Sequence, residues 1–148
     1  MGFSWEIRRI KMYKIAVFGS AMSSDKEIRD KALMVGEEIA RNVCTLITGG
    51  CNGLPYEAVK GATNRGHTVA FSPAINREEY IRFGLPVKGN REFVYILRGF
   101  FPFTGDKLIT SKYRNVISCA SCDAGVIISR RMGIMNEFTN LYSLTYTM

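Results

Sequence analysis

The chain has 148 residues, 47% hydrophobic and 22% charged, which excludes a disordered polymer and fits one globular domain with a real core. A formal charge of +7 suits anionic partners, but the one local basic cluster is Arg8, Arg9, Lys11 and Lys14. Charge this dispersed argues against sequence-specific nucleic-acid binding and fits small phosphorylated anions equally well. The first strand is expected at Lys14–Ala21, a short apolar run ending in Gly19-Ser20. Asp25 offers a helix start, and Ile28, Ala32, Val35, Ile39 and Ala40 recur at helical spacing between Lys26 and Asn42. The opposite side of that helix carries Glu27, Arg29, Asp30, Lys31, Glu37 and Glu38, a solvated face with pairs one turn apart.

A second strand, Cys44–Thr48, empties into Gly49-Gly50-Cys51-Asn52-Gly53. Pro55 suits the first turn of the next helix, whose buried side is Ala58, Val59 and Ala62 and whose end is Gly66. His67–Ser72 reads as the third strand, Glu78–Phe83 as a short helix and Phe93–Leu97 as a fourth strand. Around them lie Gly84, Pro86, Gly89, Gly99, Pro102 and Gly105, a stretch of loops rich in aromatics. A helix from Asp106 to Ala120 leads into the strand Ala124–Ser129, and a last helix runs from Ile134 to Leu144.

This alternation predicts an α/β, Rossmann-like, three-layer domain with a mainly parallel sheet flanked by helices on both faces. Residues 1–12 read as an N-terminal extension and residues 13–148 as the single domain. No apolar run approaches the ~20 residues that span a bilayer, and no apolar segment of signal-peptide type follows the basic start. A cytoplasmic protein without membrane contact is therefore expected, with Cys44, Cys51, Cys119 and Cys122 as reduced thiols.

In parallel sheets, ligands bind beyond the carboxyl ends of the strands, near the point where strand order reverses. The Gly-rich turns all fall at such ends. Gly49, Gly50 and Gly53 let the backbone turn sharply and approach a ligand, while the following helix start offers N–H groups to an anion. Gly19 and Ser20 line the neighbouring side of the same crevice. The alternative is that these glycines only make tight turns. Neither a Gly-x-Gly-x-x-Gly fingerprint nor a Walker lysine is present, so dinucleotide and ATP sites lose support.

Three segments together resemble the LONELY GUY family, which also carries a lysine-decarboxylase label. They are Gly19-Ser20 after strand one, Ile47-Thr-Gly-Gly-Cys-Asn-Gly-Leu-Pro-Tyr-Glu-Ala58 after strand two, and Arg131-Met-Gly-Ile-Met-Asn-Glu137 late in the chain. Arg114 precedes Asp123 by 9 positions and Glu137 by 23, the spacing the family shows. The resemblance covers roughly residues 14 to 143. It implies hydrolysis of the N-glycosidic bond of a nucleoside 5′-monophosphate to free base and ribose 5-phosphate. Glu137 would then act on the ribose side and Arg114 would hold the ligand. The helix starts after Gly50 and Gly133 would take the phosphate. No lysine stands in a pyridoxal-phosphate context, so the decarboxylase label gains nothing, and no resident cofactor is expected. Family resemblance also implies a homodimer or higher homo-oligomer.

The late motif departs from the family pattern. Arg130 and Arg131 stand where the family has paired glycines, and Ile134 replaces its threonine. Either the arginine side chains bind phosphate themselves, or catalysis is lost and the site only binds or does neither. The Gly-Leu-Met-Gly element is also altered, with Pro55 and Tyr56 in place of Met-Gly. The chain stops where family members continue into another strand and helix, which implies an uncovered sheet edge or a partner over it. A second class of function stays open beside the enzyme: a non-catalytic binder or carrier of a nucleotide-like cofactor, as in molybdenum-cofactor carrier proteins. A third is a degenerate member.

The remaining candidates have plainer readings. Cys119-Ala-Ser-Cys122 lacks the second pair that a zinc site needs, so buried thiols and no metal are expected. Cys51 lies in the Gly-rich turn and is the candidate exposed thiol. His67, the only histidine, opens a strand, a poor place for a general base. Phe83, Phe93, Tyr95, Phe100, Phe101 and Phe103 read as core or loop anchors, with an aromatic face that could stack on a base.

Overall fold

Strand β1 (Lys14–Gly19) alternates its side chains between two apolar layers. Ile15 and Val17 pack with Leu46, Val126 and Ile128 on one face, while Ala16 and Phe18 pack with Ile47, Phe71 and Ile127 on the other. A strand apolar on both sides has to lie in the middle of a covered parallel sheet. The computed structural model places it there, and describes residues 11–22, 25–62, 66–74, 76–82, 93–96, 107–128, 138–140 and 142–143.

In chain order the elements after β1 are α1 (Lys26–Arg41), β2 (Thr45–Thr48), α2 (Leu54–Ala62), β3 (His67–Ser72) and α3 (Arg77–Arg82). They are followed by β4 (Phe93–Ile96), α4 (Lys107–Ser121) and β5 (Ala124–Ile128). The five strands form one sheet in the order β4-β3-β2-β1-β5. Every pairing is parallel, with Ala16 opposite Ile47 and Gly125, Leu46 opposite Thr68, and Val69 opposite Phe93. The chain steps outward from β1 to β4 and then returns to lay β5 on the other side of β1. The order reverses at β1, and the carboxyl ends of β1 and its two neighbours are the place for a ligand in such a sheet. The expected Rossmann-like α/β fold with a parallel sheet and helices on both faces is the fold found.

Helices α1 and α2 cover one face and α4 the other. Asp25 caps α1, its Oδ1 accepting from the N–H groups of Glu27 at 2.9 Å and Ile28 at 3.4 Å. The outer face of α1 carries the ion pairs Lys31–Glu27, Lys26–Asp30 and Arg41–Glu38. Its inner face is small. A Cβ on Gly36 would overlap the backbone carbonyl of Ala58, and one on Gly61 would overlap the carbonyl of Leu33. These two glycines let the helices cross backbone to backbone, with Ala32, Ala40, Ala58 and Ala62 buried around the crossing.

At the amino edge of the sheet, Asp123 joins β5 to β1. Its Oδ2 accepts from the Lys14 N–H at 2.8 Å and its own N–H donates to the Lys14 carbonyl at 2.7 Å. Between α1 and β2, Val43 takes φ 56, a left-handed conformation that a β-branched residue adopts only at a cost. Element limits differ from the sequence reading by a residue or two. Cys44, for instance, belongs to the turn, its N–H donating to Ile39. The expected last helix is helical at 138–140 and 142–143, and its other residues lie outside the described ones, as do Leu97 and the loop aromatics Phe83, Phe100, Phe101 and Phe103. No helix among the described residues is long and apolar enough to cross a membrane.

Candidate functional site

Three adjacent strands end in the same device. Ser20 follows β1, Thr48 closes β2 and Ser72 closes β3, and all three are buried. Each hydroxyl accepts from the N–H two residues further on: Met22 at 3.2 Å, Gly50 at 3.1 Å and Ala74 at 3.2 Å. A side chain that satisfies the backbone locally lets the chain leave the sheet abruptly without an orphaned donor. The carboxyl edge is therefore a row of tight, pinned turns.

The Gly49–Gly53 turn adds two left-handed glycines to this device. Gly50 and Gly53 have φ 62 and 84, which only glycine adopts freely. Gly53 is also fixed by contact, since a Cβ there would overlap the Ser20 carbonyl and the Ala21 backbone. The Leu54 N–H donates to that same Ser20 carbonyl at 2.9 Å. Pro55 has no N–H to give, and the Glu57 N–H closes the first helical bond to the Gly53 carbonyl at 3.0 Å. The start of α2 is thus docked on the loop after β1, and most of its donors are spent. The helix start therefore has few donors left to offer an anion.

Arg114 brings its own donors to this corner. It sits on α4, which packs on the opposite face of the sheet, and its Nη1 donates to the Gly49 carbonyl at 2.6 Å. Its Nε donates to Asn115 Oδ1 at 2.8 Å. A Cβ on Gly49 would overlap the guanidinium, so glycine is what admits the arginine to the turn. A guanidinium has five N–H donors, and these two bonds use two of them. Phe18, Gly19, Gly49, Cys51, Arg114 and Asn115 line a cleft of ≈ 250 Å³, a figure that includes open solvent.

Gly19, Ser20, Gly49, Gly50, Gly53 and Arg114 therefore come together at the carboxyl edge around β1 and β2. Gly19 pairs with Ile128, so β5 also ends beside them. Glu137, Arg130, Arg131, Gly133 and Ile134 follow β5 in sequence and lie outside the described residues. Asp123, which shares the family spacing, is at the opposite edge of the sheet from Arg114's contact, tied to Lys14. His67 opens β3 at that same amino edge and is exposed. Cys119 is buried, and the Cys122 thiol donates to the Cys119 carbonyl at 3.2 Å. Burial pushes the Cys122 thiol up. No three metal-ligating side chains cluster among the described residues. Sequence reasoning did not find Asn115. Its only sequence signal was adjacency to Arg114 on a helix, and neighbouring helical residues do not ordinarily face one another.

The strand order and the helices on both faces make this a Rossmann-like α/β protein. Within that class the chain belongs to the SLOG cluster4 family, whose sequence profile matches residues 12–147. No curated protein matches it. Among solved structures it is similar to the molybdenum cofactor binding protein of Rippkaea orientalis, with TM-score 0.72 and 20% identity over 92% of this chain and 74% of that one. The molybdenum cofactor carrier protein of Chlamydomonas reinhardtii gives TM-score 0.66 and 21% identity over 90% and 72%. DNA processing protein A of Helicobacter pylori, described for its single-stranded DNA binding mode, gives 0.64 and 18% over 90% and 62%. At these identities the likeness is one of fold.

Proposed function

We propose that this protein binds a small phosphorylated, nucleotide-like ligand in the carboxyl-edge cleft and serves as a binder or carrier of it. The observation that carries this reading is the Arg114 guanidinium held at the Gly49 carbonyl, where the helix start of α2 has few donors left. A guanidinium fixed in place is a good receptor for phosphate oxygens, because it offers paired donors in a rigid plane. Gly19, Ser20, Gly49, Gly50 and Gly53 supply the backbone floor. In this reading Arg130, Arg131 and Gly133, which follow β5 in the sequence, add further phosphate contacts. Two of the solved structures of like fold are named for the molybdenum cofactor, which makes a cofactor of that kind the first cargo to test.

The second reading is the one implied by resemblance to the LONELY GUY family: hydrolysis of a nucleoside 5′-monophosphate with Arg114 and Glu137 as the catalytic pair. The spacing of those two residues favours it, and the arginines in place of paired glycines count against it. Single-stranded DNA also belongs among the test ligands, because dispersed charge alone does not decide the matter and one neighbour of like fold is described for that binding. A homodimer is the working assembly in both readings, to be checked by light scattering.

One experiment separates them. The purified protein is incubated with AMP, with molybdenum cofactor released from a donor enzyme, and with a single-stranded oligonucleotide. Melting temperature and free base are then followed. A rise in melting temperature with AMP or the cofactor and no base released supports the binder. Base released by the native protein and not by Glu137→Gln establishes the hydrolase. A response to the oligonucleotide alone would move the site to nucleic acid.

A further inference from the structure

The contacts of Arg114 have a geometry that a lone cation would not show, and Asn115 is responsible for half of it. Nε donates to Asn115 Oδ1 at 2.8 Å while Nη1 donates to the Gly49 carbonyl at 2.6 Å. With both ends of the guanidinium held, its plane is set. Three donors are left over from these bonds, one on Nη1 and both on Nη2. One Nη2 donor faces Nη1 and the other lies on the side of the Nε–H, and both residues line the cleft. An arginine restrained this way gives up less side-chain freedom on meeting an anion than a free one does.

We infer that Asn115 is a positioning residue, one that aims Arg114 so that its Nη2 donors receive a phosphate in the cleft. The amide suits this task. It accepts from Nε without adding the negative charge that a carboxylate would bring beside an anion. The inference concerns the Asn115–Arg114 bond itself, and its consequence for a ligand rests on the binding reading above.

The test has two readouts, one of which needs no ligand. In the full-length protein, the Nε–H proton of Arg114 should exchange slowly with solvent by nuclear magnetic resonance. Asn115→Ala should make that exchange fast with the backbone spectrum retained, while Asn115→Asp, which keeps an acceptor, should keep it slow. Unchanged exchange in Asn115→Ala would overturn the inference. So would fast exchange in the native protein. The second readout is AMP affinity by calorimetry. Asn115→Ala should weaken it about tenfold, equivalent to about 1.4 kcal/mol. In an Arg114→Lys background, where no Nε exists, the same change should cost nothing further. An equal loss in both backgrounds would mean that Asn115 acts on the ligand or the fold directly, and would overturn the positioning role. Slow Nε–H exchange with no AMP binding in the native protein would sink the binding reading and leave the Asn115–Arg114 bond standing.

Discussion

Arg114 Nη1 donates to the carbonyl of Gly49 at 2.6 Å across 65 positions of sequence, joining the helix on one face of the sheet to the turn after β2. That bond puts a fixed cation at the carboxyl edge beside β1, where the strand order reverses. It also explains the glycine. Any side chain at position 49 would occupy the space of the guanidinium.

Gly49→Ala therefore tests the site and the fold separately. The atom in the way is the end of a flexible arginine, which can swing aside, so stability should change by no more than about 1 kcal/mol. Affinity for a phosphorylated ligand should fall by about tenfold or more, because a charge-assisted hydrogen bond contributes about 1.5–3 kcal/mol. Chemical denaturation and calorimetry on the same variant check both. A large loss of stability with affinity intact would refute the assignment of Gly49.

Gly36→Ala should behave in the opposite way. On an exposed helix this change would stabilise by about 1 kcal/mol through helix propensity. Here the new Cβ would meet the Ala58 backbone, which cannot move without parting α1 from α2. A net loss of about 1–3 kcal/mol is expected, the usual cost of overpacking. Urea denaturation decides the sign, and a stabilised variant would show that the two helices do not cross this closely.

How much of this was legible beforehand depends on the kind of information involved. Val17, Leu46 and Ile47 announce buried strands through unbroken apolar runs, and Ile39 and Ala40 announce a helix face through their spacing. The parallel order then follows from alternation. Gly36 and Gly61 were not legible, because a glycine inside a helix reads only as a weak helix former until the partner helix is in place. The Gly49–Gly53 turn reads from sequence as a close approach to a ligand, but what approaches Gly49 is Arg114 and what approaches Gly53 is Ser20. Those are tertiary facts with no local signature. Asn115 was missed for a related reason: its bond to Arg114 joins adjacent helical residues, an exception to ordinary helix spacing.

Val43→Gly should stabilise the protein. Val43 has φ 56 and is 62% exposed, so it carries left-handed strain and buries little. Relief of about 1–2 kcal/mol in the folded state is partly offset by the greater freedom of glycine in the unfolded chain, about 0.5–1 kcal/mol. A rise of about 1 kcal/mol or somewhat less is expected from thermal or urea unfolding. A lower stability would mean that the turn does not hold this conformation.

Cys122 makes a pH-dependent prediction. Desolvation by burial is the main cause that raises its thiol in the folded protein. The unfolded chain gives up that proton first as pH climbs, so the Cys122 contribution favours the fold below the ordinary thiol range and is lost on the alkaline side. Alkylation of Cys122 followed by mass spectrometry near pH ~8.5 should be slower in the native protein than in urea. Equal rates would show that the thiol is not shielded.

The most direct test of the central claim is a calorimetric titration of AMP into the native protein and into Arg114→Ala. Saturable binding to the native protein is expected, with a loss of about tenfold or more in the variant and AMP recovered intact afterwards. Equal binding to both proteins would place the ligand away from the Arg114–Gly49 corner, and recovery of free adenine would contradict the binder reading in favour of hydrolysis.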